Sequence, residues 1–292
     1  MRRFWLKKDG VIWDLSSDSF TERAGFMADP QGLGVKLKID SFEVERATFV
    51  ENVKLEGSEI GGKIYFKDYA QFSAFAQFIG YVETTEPMRL YYSTAEAKPD
   101  YNSIDEWYKL VLIKEIKKGE IDVKTGLLIC DVKFAGMSRW KKDRLMTLQL
   151  SPYGQALSYP YIYPYYYGGQ NNVAVIIDNK GNLPTHCTVR VEGETDIPLF
   201  RIIVNGEVVE QAKYNVYIRQ GSYMVINSDP ANQEASLYTG ANREDVYYLG
   251  ERDYSYSNFV TIPSGESMFL FTARNSSFGG VQLQYSLQRE VI

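Results

Sequence analysis

Two segments, GSYMVINSDP at residues 221–230 and FVTIPSGESMFLFTARNSSFGGVQLQYSLQREVI at residues 259–292, decide the fold of this chain. In the second segment every other residue from Val281 to Leu287 is apolar, and the residues between them are Gln282, Gln284 and Ser286. A period of two with a single apolar face is typical of an antiparallel strand that is buried on one side. The end of the chain is therefore predicted to be a half-buried strand.

Short apolar runs separated by turn residues fill the rest of this region. The runs at residues 259–262 and 268–272 flank Pro263-Ser264-Gly265, where proline fixes φ and glycine accepts a positive φ. Residues 214–219 and 223–226 are predicted to pair across a turn at residues 220–222. Because no helical period occurs here, residues 173–292 are predicted to form an all-β sandwich.

Length and composition favour two globular domains. The chain has 292 residues, of which 45% are hydrophobic and 14% aromatic, so it can form a sizeable core. The formal net charge is −5, and lysine and arginine are dispersed, which argues against specific nucleic-acid binding. No apolar run approaches the ~18 residues of a membrane span, so we expect no membrane partner.

The N-terminal half is also predicted to be mainly β, with one packed helix. Asp9-Gly10 marks a hairpin turn, and residues 16–34 are interpreted as a surface loop or as an arm that lies on a neighbouring subunit. Strands are expected near residues 35–40, 47–55 and 63–66, the last after a turn at Gly61-Gly62. Apolar residues at helical spacing between Asp68 and Gly80 predict the helix.

The boundary between the two domains is placed at a segment rich in tyrosine and proline. A long hairpin is expected over residues 108–134 with its turn at Lys118-Gly119, followed by a loop or helical turn at 137–151. Residues 1–158 are then the first domain, residues 159–172 a linker, and residues 173–292 the second domain. Prolines within the linker disfavour both a helix and a central strand. Its tyrosines either pack on the adjoining domains or form a contact surface.

The sequence offers little material for catalysis or cofactor binding. His186 is the single histidine, and its neighbour Cys187 would point to the opposite face of a strand. With Cys130, these side chains are too few for a typical zinc site, and they are not expected to form a disulfide. We therefore expect no cofactor, no metal and no enzymatic activity, although a pair of carboxylates for a cell-wall hydrolase remains an alternative.

The order of motifs resembles the C-terminal domain of siphophage distal tail proteins. The resemblance is carried by VIIDNKGNLPTHCTVRVEG (residues 175–193), INSDP, ASLYTGAN, YSNFVTIPSGESMFLFTA and the final alternating strand. It implies an N-terminal domain of the β-sandwich or split-barrel type and a C-terminal sandwich that is galectin-like or similar to a carbohydrate-binding module. It also implies a virion protein of the phage or prophage tail tip and baseplate, made in the host bacterial cytoplasm.

The same resemblance implies the partners. A distal tail protein forms a hexameric ring that joins the tail tube to tail-hub and adhesin proteins. Residues 16–66 would then make ring contacts by edge pairing. The alternative function is that of a carbohydrate-binding host-adhesion module that recognises the cell wall. All four tryptophans lie in the first half, so a sugar or partner protein would be contacted by tyrosines. The candidates are Tyr159, Tyr161, Tyr163, Tyr165, Tyr247, Tyr248, Tyr254 and Tyr256.

Overall fold

The computed structural model describes residues 2–17, 23–34, 36–44, 47–55, 59–80, 86–94, 106–150, 172–246 and 252–292. The chain divides into two compact units. The first unit consists of Met1–Lys142 and Arg289–Ile292, and the second of Asp143–Gln288. Both are built from antiparallel strands, and the described part of the chain contains a single helix. No helix in the described ranges is long and apolar enough to span a membrane.

The strands of the first unit form one continuous path. The elements are β1 (Arg3–Lys8), β2 (Val11–Asp14), β3 (Phe26–Gln31), β4 (Leu37–Val44), β5 (Ala47–Leu55), β6 (Glu59–Phe66), α1 (Tyr69–Ile79), β7 (Met88–Ser93), β8 (Trp107–Ile121) and β9 (Leu128–Gly136). The pairing order is β2-β1-β7-β8-β9-β6-β3. Bridges from Asp14 to Ala24 and from Ser16 to Phe26 join β2 to β3, so the path closes on itself. Strands β4 and β5 form a separate two-stranded sheet.

Helix α1 packs one face against the core of the first unit, and its bounds agree with the sequence prediction. The Asp68 carboxylate accepts a hydrogen bond from the Gln71 N–H at 2.8 Å, which caps the first turn, and Gly80 ends the helix with φ of 66°. Phe75 lies with its ring centre 5.2 Å from those of Trp13 and Phe66. The aromatic stripe of the helix is thus core packing, as the helical spacing indicates.

Lys109 in β8 is an unusual part of this unit because it is only 4% exposed. Its ammonium nitrogen lies 5.6 Å from the centre of the Trp140 ring. Loss of solvation on burial lowers the pKa of Lys109, and the negative charge of Glu290 opposes that shift. Since the folded state then holds this proton less tightly than the unfolded chain does, the charged side chain costs stability at neutral pH.

We therefore expect Lys109→Met to raise the free energy of unfolding at pH 7 by about 1 kcal/mol. The advantage should shrink as the pH rises towards the ordinary lysine pKa, because folded wild-type Lys109 then loses its proton and no longer keeps a charge in the core. Guanidinium unfolding at pH 7 and pH 10 measures this, with exposed Lys63→Met as the control. A Lys109→Met variant that is less stable than wild type at both pH values would contradict the interpretation.

Two glycine positions that were predicted as turns lie inside strands. Gly61 and Gly62 are within β6, where a Cβ on Gly62 would stand 2.9 Å from the Met27 side chain. Gly119 is within β8, where a Cβ would stand 2.0 Å from the Ile129 carbonyl oxygen. These glycines allow neighbouring strands to approach closely. The hairpin turns instead at residues 122–127, where the Asp122 carboxylate accepts hydrogen bonds from Thr125.

Two segments that were expected to be irregular are strands. Within residues 16–34, β3 pairs with β6 from Phe26 to Gln31, while residues 18–22 lie outside the described part of the chain. Residues 137–151 were predicted to be a loop or a helical turn, but β10 (Trp140–Leu150) occupies most of them. The charged residues at 141–144 obscured the short alternation of Met146, Leu148 and Leu150, and the pairing partners, β8 and the final strand, are distant in sequence.

The second unit contains two antiparallel sheets. Its elements are β11 (Asn172–Asn179), β12 (Thr185–Asp196), β13 (Leu199–Val204), β14 (Glu207–Lys213), β15 (Tyr217–Ile218), β16 (Ser222–Asn227), β17 (Glu234–Thr239), β18 (Asn242–Asp245), β19 (Thr261–Ile262), β20 (Gly265–Thr272) and β21 (Asn275–Arg289). One sheet has the order β18-β17-β16-β12-β21-β10, and the other β11-β20-β13-β14. Val281, Leu283, Tyr285 and Leu287 are buried, so the predicted alternation in β21 is confirmed.

The predicted hairpin between residues 214–219 and 223–226 is wrong. Strand β15 pairs with the end of β12 at Thr195, and β16 pairs with the middle of β12. The two segments that flank the turn at residues 220–222 therefore both pair with β12 and not with each other. The proposed border at residue 158 and the linker, apart from Asn172, lie outside the described residues. The second unit begins at Asp143, within β10.

Candidate assembly and ligand-contact surfaces

The hairpin of β4 and β5 exposes large apolar side chains on a sheet of only two strands. Phe42 and Phe49 are paired across the strands, with ring centres 5.6 Å apart and planes 20° apart. They are 51% and 49% exposed, and Ile39 and Val50 are 56% and 60% exposed. A register shift next to Ser41 bends the hairpin. We call these four side chains and the two strands the apolar hairpin.

The faces of the apolar hairpin are both partly apolar. Phe42 and Phe49 share one face because directly opposed residues point to the same side. Val50 follows Phe49 in the strand and therefore points to the other side. Isolated two-stranded hairpins are marginally stable in water, and contiguous exposed apolar groups mark interaction surfaces. The arrangement is suited to burial against another protein.

The loop at residues 252–258 is a second candidate surface, in the second unit. Tyr254 is 70% exposed on this loop, and the Arg252 guanidinium carbon lies 4.5 Å from the centre of its ring. The Asp253 N–H donates to the Lys213 carbonyl at 3.0 Å, and the Lys213 ammonium lies 3.1 Å from the Asp253 carboxylate. The loop is thereby attached to β14.

Asn258 fixes the shape of this loop from inside. It is buried with φ of 64°, in the left-handed region that asparagine tolerates better than most residues. Its Nδ2 donates to the carbonyl oxygens of Asp253 at 2.8 Å and Tyr256 at 2.9 Å. Its Oδ1 accepts from the Lys213 N–H at 3.3 Å. Tyr254 therefore stands on a loop whose backbone groups are internally satisfied.

The structure places only part of the predicted tyrosine set. Tyr254 and Tyr256 share the loop at residues 252–258, as their spacing implies, and Tyr256 is less exposed than Tyr254. Tyr159, Tyr161, Tyr163, Tyr165, Tyr247 and Tyr248 lie outside the described residues. The exposure of Phe42 and Phe49 was missed, because apolar residues on both faces of a strand usually signal burial.

The two cysteines lie in different units, and the histidine is the sequence neighbour of Cys187 in β12. Cys187 is buried, and burial raises the pKa of its thiol to about 12. His186 lies beside it at the start of β12, and its Nδ1 is enclosed without a hydrogen-bond partner among the described residues. Burial also raises the pKa of Cys130 in the first unit. Among the described residues, no group of three or more His, Cys, Asp or Glu could hold a metal.

Comparison with known proteins shows what the fold is similar to. The chain resembles the structure of the phage P2 baseplate in its activated conformation with Ca, with 13% identity, complete coverage of both chains and a TM-score of 0.55. It also resembles the crystal structure of the SPP1 Dit protein, described as a paradigm of the hub adsorption apparatus in phages that infect Gram-positive bacteria. That match has 9% identity, 97% coverage of this chain, 98% of the other, and a TM-score of 0.58.

At these identities the solved structures establish the fold alone, and the family assignment comes from the sequence. Among proteins with curated descriptions, none matches this chain. A family model described as "Distal tail protein, N-terminal domain" matches residues 4–137, which are most of the first unit and include the apolar hairpin. Residues 4–137 therefore form a distal tail protein N-terminal domain, the domain of a structural protein of the phage tail tip.

Proposed function

We propose that this protein forms a ring, with six copies, that joins the tail tube to the host-adhesion proteins. In this proposal the chain is a structural protein and not an enzyme. Residues 1–158 make the ring, residues 159–172 are the linker, and residues 173–292 form a peripheral domain that faces tail-hub or adhesin proteins. The observation that carries the proposal is the apolar hairpin, because its exposed phenylalanines require another protein to cover them.

A second copy of the same chain is the partner that fits this surface best. A contact between two different surfaces of identical chains repeats from copy to copy, and it closes into a ring when the rotation between copies allows. The hairpin contributes such a surface to every copy. The six-fold number comes from the resemblance to distal tail proteins, and the hairpin itself supports only the self-contact.

The size of the purified full-length protein in solution tests this function. Light scattering coupled to gel filtration should give about six times the chain mass of 33.4 kDa, with a fraction that dissociates on dilution. A different number of copies in a closed ring would change the proposed stoichiometry but would still support a ring. A monomer at high concentration would overturn the proposal.

A second candidate function is recognition of cell-wall carbohydrate by the loop at residues 252–258. The favouring observation is that Tyr254 is mostly exposed on a loop fixed by Asn258 and Asp253. A sugar ring could stack on an aromatic side chain held in this way at little cost in conformational entropy. The two functions are compatible, because a ring protein can carry sugar-binding peripheral domains.

We expect Tyr254→Ala to reduce binding of the full-length protein to purified cell-wall polysaccharide at least tenfold, since stacking on this ring is then lost. Sedimentation with the polysaccharide at a series of protein concentrations gives the affinity. Tyr217→Ala is the matched control, because Tyr217 is also exposed in the second unit but lies outside the loop. Equal binding by wild type and the Tyr254 variant would remove this candidate.

A further inference from the structure

Strand β11 lies at the edge of its sheet in the second unit. Its eight residues, Asn172–Asn179, pair with β20 in an unbroken register that runs from Thr272 to Gly265. On its other side, no strand in the described part of the chain pairs with it. We call this other side, from residue 172 to residue 178, the β11 edge.

The sequence of β11 has none of the features that usually protect a sheet edge. It is NVAVIIDN, with five consecutive apolar residues and without proline, lysine or arginine. Its register with β20 is not shifted at any position, so no bulge twists the strand away. Natural edges are usually protected by charges, prolines, bulges or a covering loop. The β11 edge is therefore a template on which another strand can pair.

The edges of β14 and β18 in the same unit are protected, in contrast to β11. The loop at residues 252–258 covers the end of β14, where the Asp253 N–H donates to the Lys213 carbonyl at 3.0 Å and Tyr214 bridges to Arg252. Strand β18 has only four residues, and three of them are charged. The contrast indicates that β11 is a surface for pairing and not an ordinary end of a sheet.

The apolar side chains along the β11 edge are incompletely covered on both faces of the sheet. Ile177 is fully buried on the core face, but Val173 and Val175 on the same face are only half-buried. On the outer face Ala174 is exposed and Ile176 is 53% exposed. A strand added alongside would cover these side chains with its own alternate residues. The centre of the partner segment is therefore expected to be apolar.

Charge indicates which kind of protein supplies that segment. Asp178 at the end of the β11 edge is directly opposed by Glu266, and both are exposed. Lys180, 3.4 Å from Asp178, offsets only one of these charges, so a cation from a partner would be favourable here. Residues 143–288 contain 14 Asp and Glu but 9 Lys and Arg, so a second copy of this unit would be repelled. A basic segment of a different protein fits better.

We propose that an extended segment of another protein, apolar at its centre and with lysine or arginine at one end, pairs with the β11 edge and adds a strand to its sheet. Main-chain hydrogen bonds provide the affinity, and the cationic end lies beside Asp178 and Glu266. The contact rests on the proposed function, in which the peripheral domain faces tail-hub or adhesin proteins, and it specifies the chemistry of the segment that such a protein supplies.

Binding of a synthetic peptide to the full-length protein tests the β11 edge. The probe has two lysines followed by alternating valine and threonine, and the control peptide has two glutamates in place of the lysines. Fluorescence anisotropy at low salt should show that the lysine peptide binds at least about fivefold more tightly. Hydrogen–deuterium exchange should then slow within residues 172–178 and stay unchanged in β14. Failure of the lysine peptide to bind, or protection elsewhere in the chain, would overturn the inference.

A pair of lysine substitutions provides the second test. Ala174→Lys/Ile176→Lys puts charges on the β11 edge at two exposed positions and should weaken binding of the lysine peptide at least about tenfold. Val208→Lys/Val209→Lys adds the same charge on β14 and should bind the peptide as the wild type does. Equal binding by wild type and the Ala174/Ile176 variant would refute the β11 edge as the site.

The molar mass of the same variants separates this contact from the ring. Ala174→Lys/Ile176→Lys should keep the mass of the wild type, and a lower mass would show that the β11 edge serves a contact between copies, against the inference. A monomeric wild type that binds the lysine peptide at residues 172–178 would refute the ring and support the β11 edge.

Discussion

Phe42→Asp/Phe49→Asp is expected to convert the assembled protein to monomers at concentrations where the wild type is a ring. Two stacked rings, each about half exposed in the free chain, would be replaced by carboxylates that must be desolvated in the contact. Aromatic residues at the centre of an interface typically contribute at least about 2 kcal/mol each. Loss of both corresponds to a weakening of about a thousandfold per contact.

The measurement is the molar mass by light scattering over a range of concentrations. Val208→Asp/Val209→Asp is the control, because these two apolar side chains are also about half exposed, but are consecutive residues on β14 of the second unit. The control should assemble as the wild type does. The circular dichroism of both variants should match the wild type, since the apolar hairpin forms a sheet of its own. Rings of normal mass from the Phe42/Phe49 variant would refute the hairpin as the assembly surface.

Local sequence signals predicted those elements whose structure is determined by near neighbours. Helix α1 was delimited by Asp68 and Gly80, and the alternation at residues 281–287 is that of β21. The elements that were missed depend on distant partners. Strand β3 is formed by pairing with β6 and has no apolar alternation of its own. Strand β10 is formed by pairing with β8 and β21, and its alternation is confined to Met146–Leu150. Gly61, Gly62 and Gly119 were misassigned to turns, because the close approach that Gly62 and Gly119 allow is a tertiary feature.

The candidate surfaces could be predicted only in part. The strands of the apolar hairpin were assigned to ring contacts from the resemblance, but the sequence does not show that Phe42 and Phe49 are exposed. A strand with apolar residues on both faces has the same sequence pattern whether it is buried in the centre of a sheet or belongs to an exposed hairpin that a partner protein covers. Residue type singled out Tyr254, while its support by Asn258 depends on contacts with β14 that no local pattern encodes.

Asn258→Ala is expected to lower the free energy of unfolding of the second unit by about 3 kcal/mol. The change removes the partner of the Lys213 N–H and of the Tyr256 carbonyl oxygen, while the Asp253 carbonyl oxygen still accepts from the Tyr256 N–H. Buried unsatisfied groups cost about 1–3 kcal/mol each, less where water reaches them. Alanine also tolerates the φ of 64° poorly, at a cost of about 1 kcal/mol. Denaturant unfolding and labelling of the buried Cys187 thiol report the loss.

Two further substitutions separate these causes. Asn258→Gly keeps the backbone conformation and loses only the side-chain hydrogen bonds, so it should be more stable than the alanine variant by about the strain energy. Asn205→Ala is the matched control for strain, because Asn205 has φ of 51° in an exposed turn. It should cost about 1 kcal/mol.

The same variants connect the loop to its proposed ligand. If Tyr254 binds sugar only when the loop holds it in place, then Asn258→Ala should weaken polysaccharide binding about as much as Tyr254→Ala does, while ring mass stays unchanged. Wild-type stability of Asn258→Ala would show that the hydrogen bonds to Asp253 and Tyr256 do not support the loop. Lost stability with full binding would show that the sugar site lies elsewhere, because the loop would then be disordered without consequence for recognition.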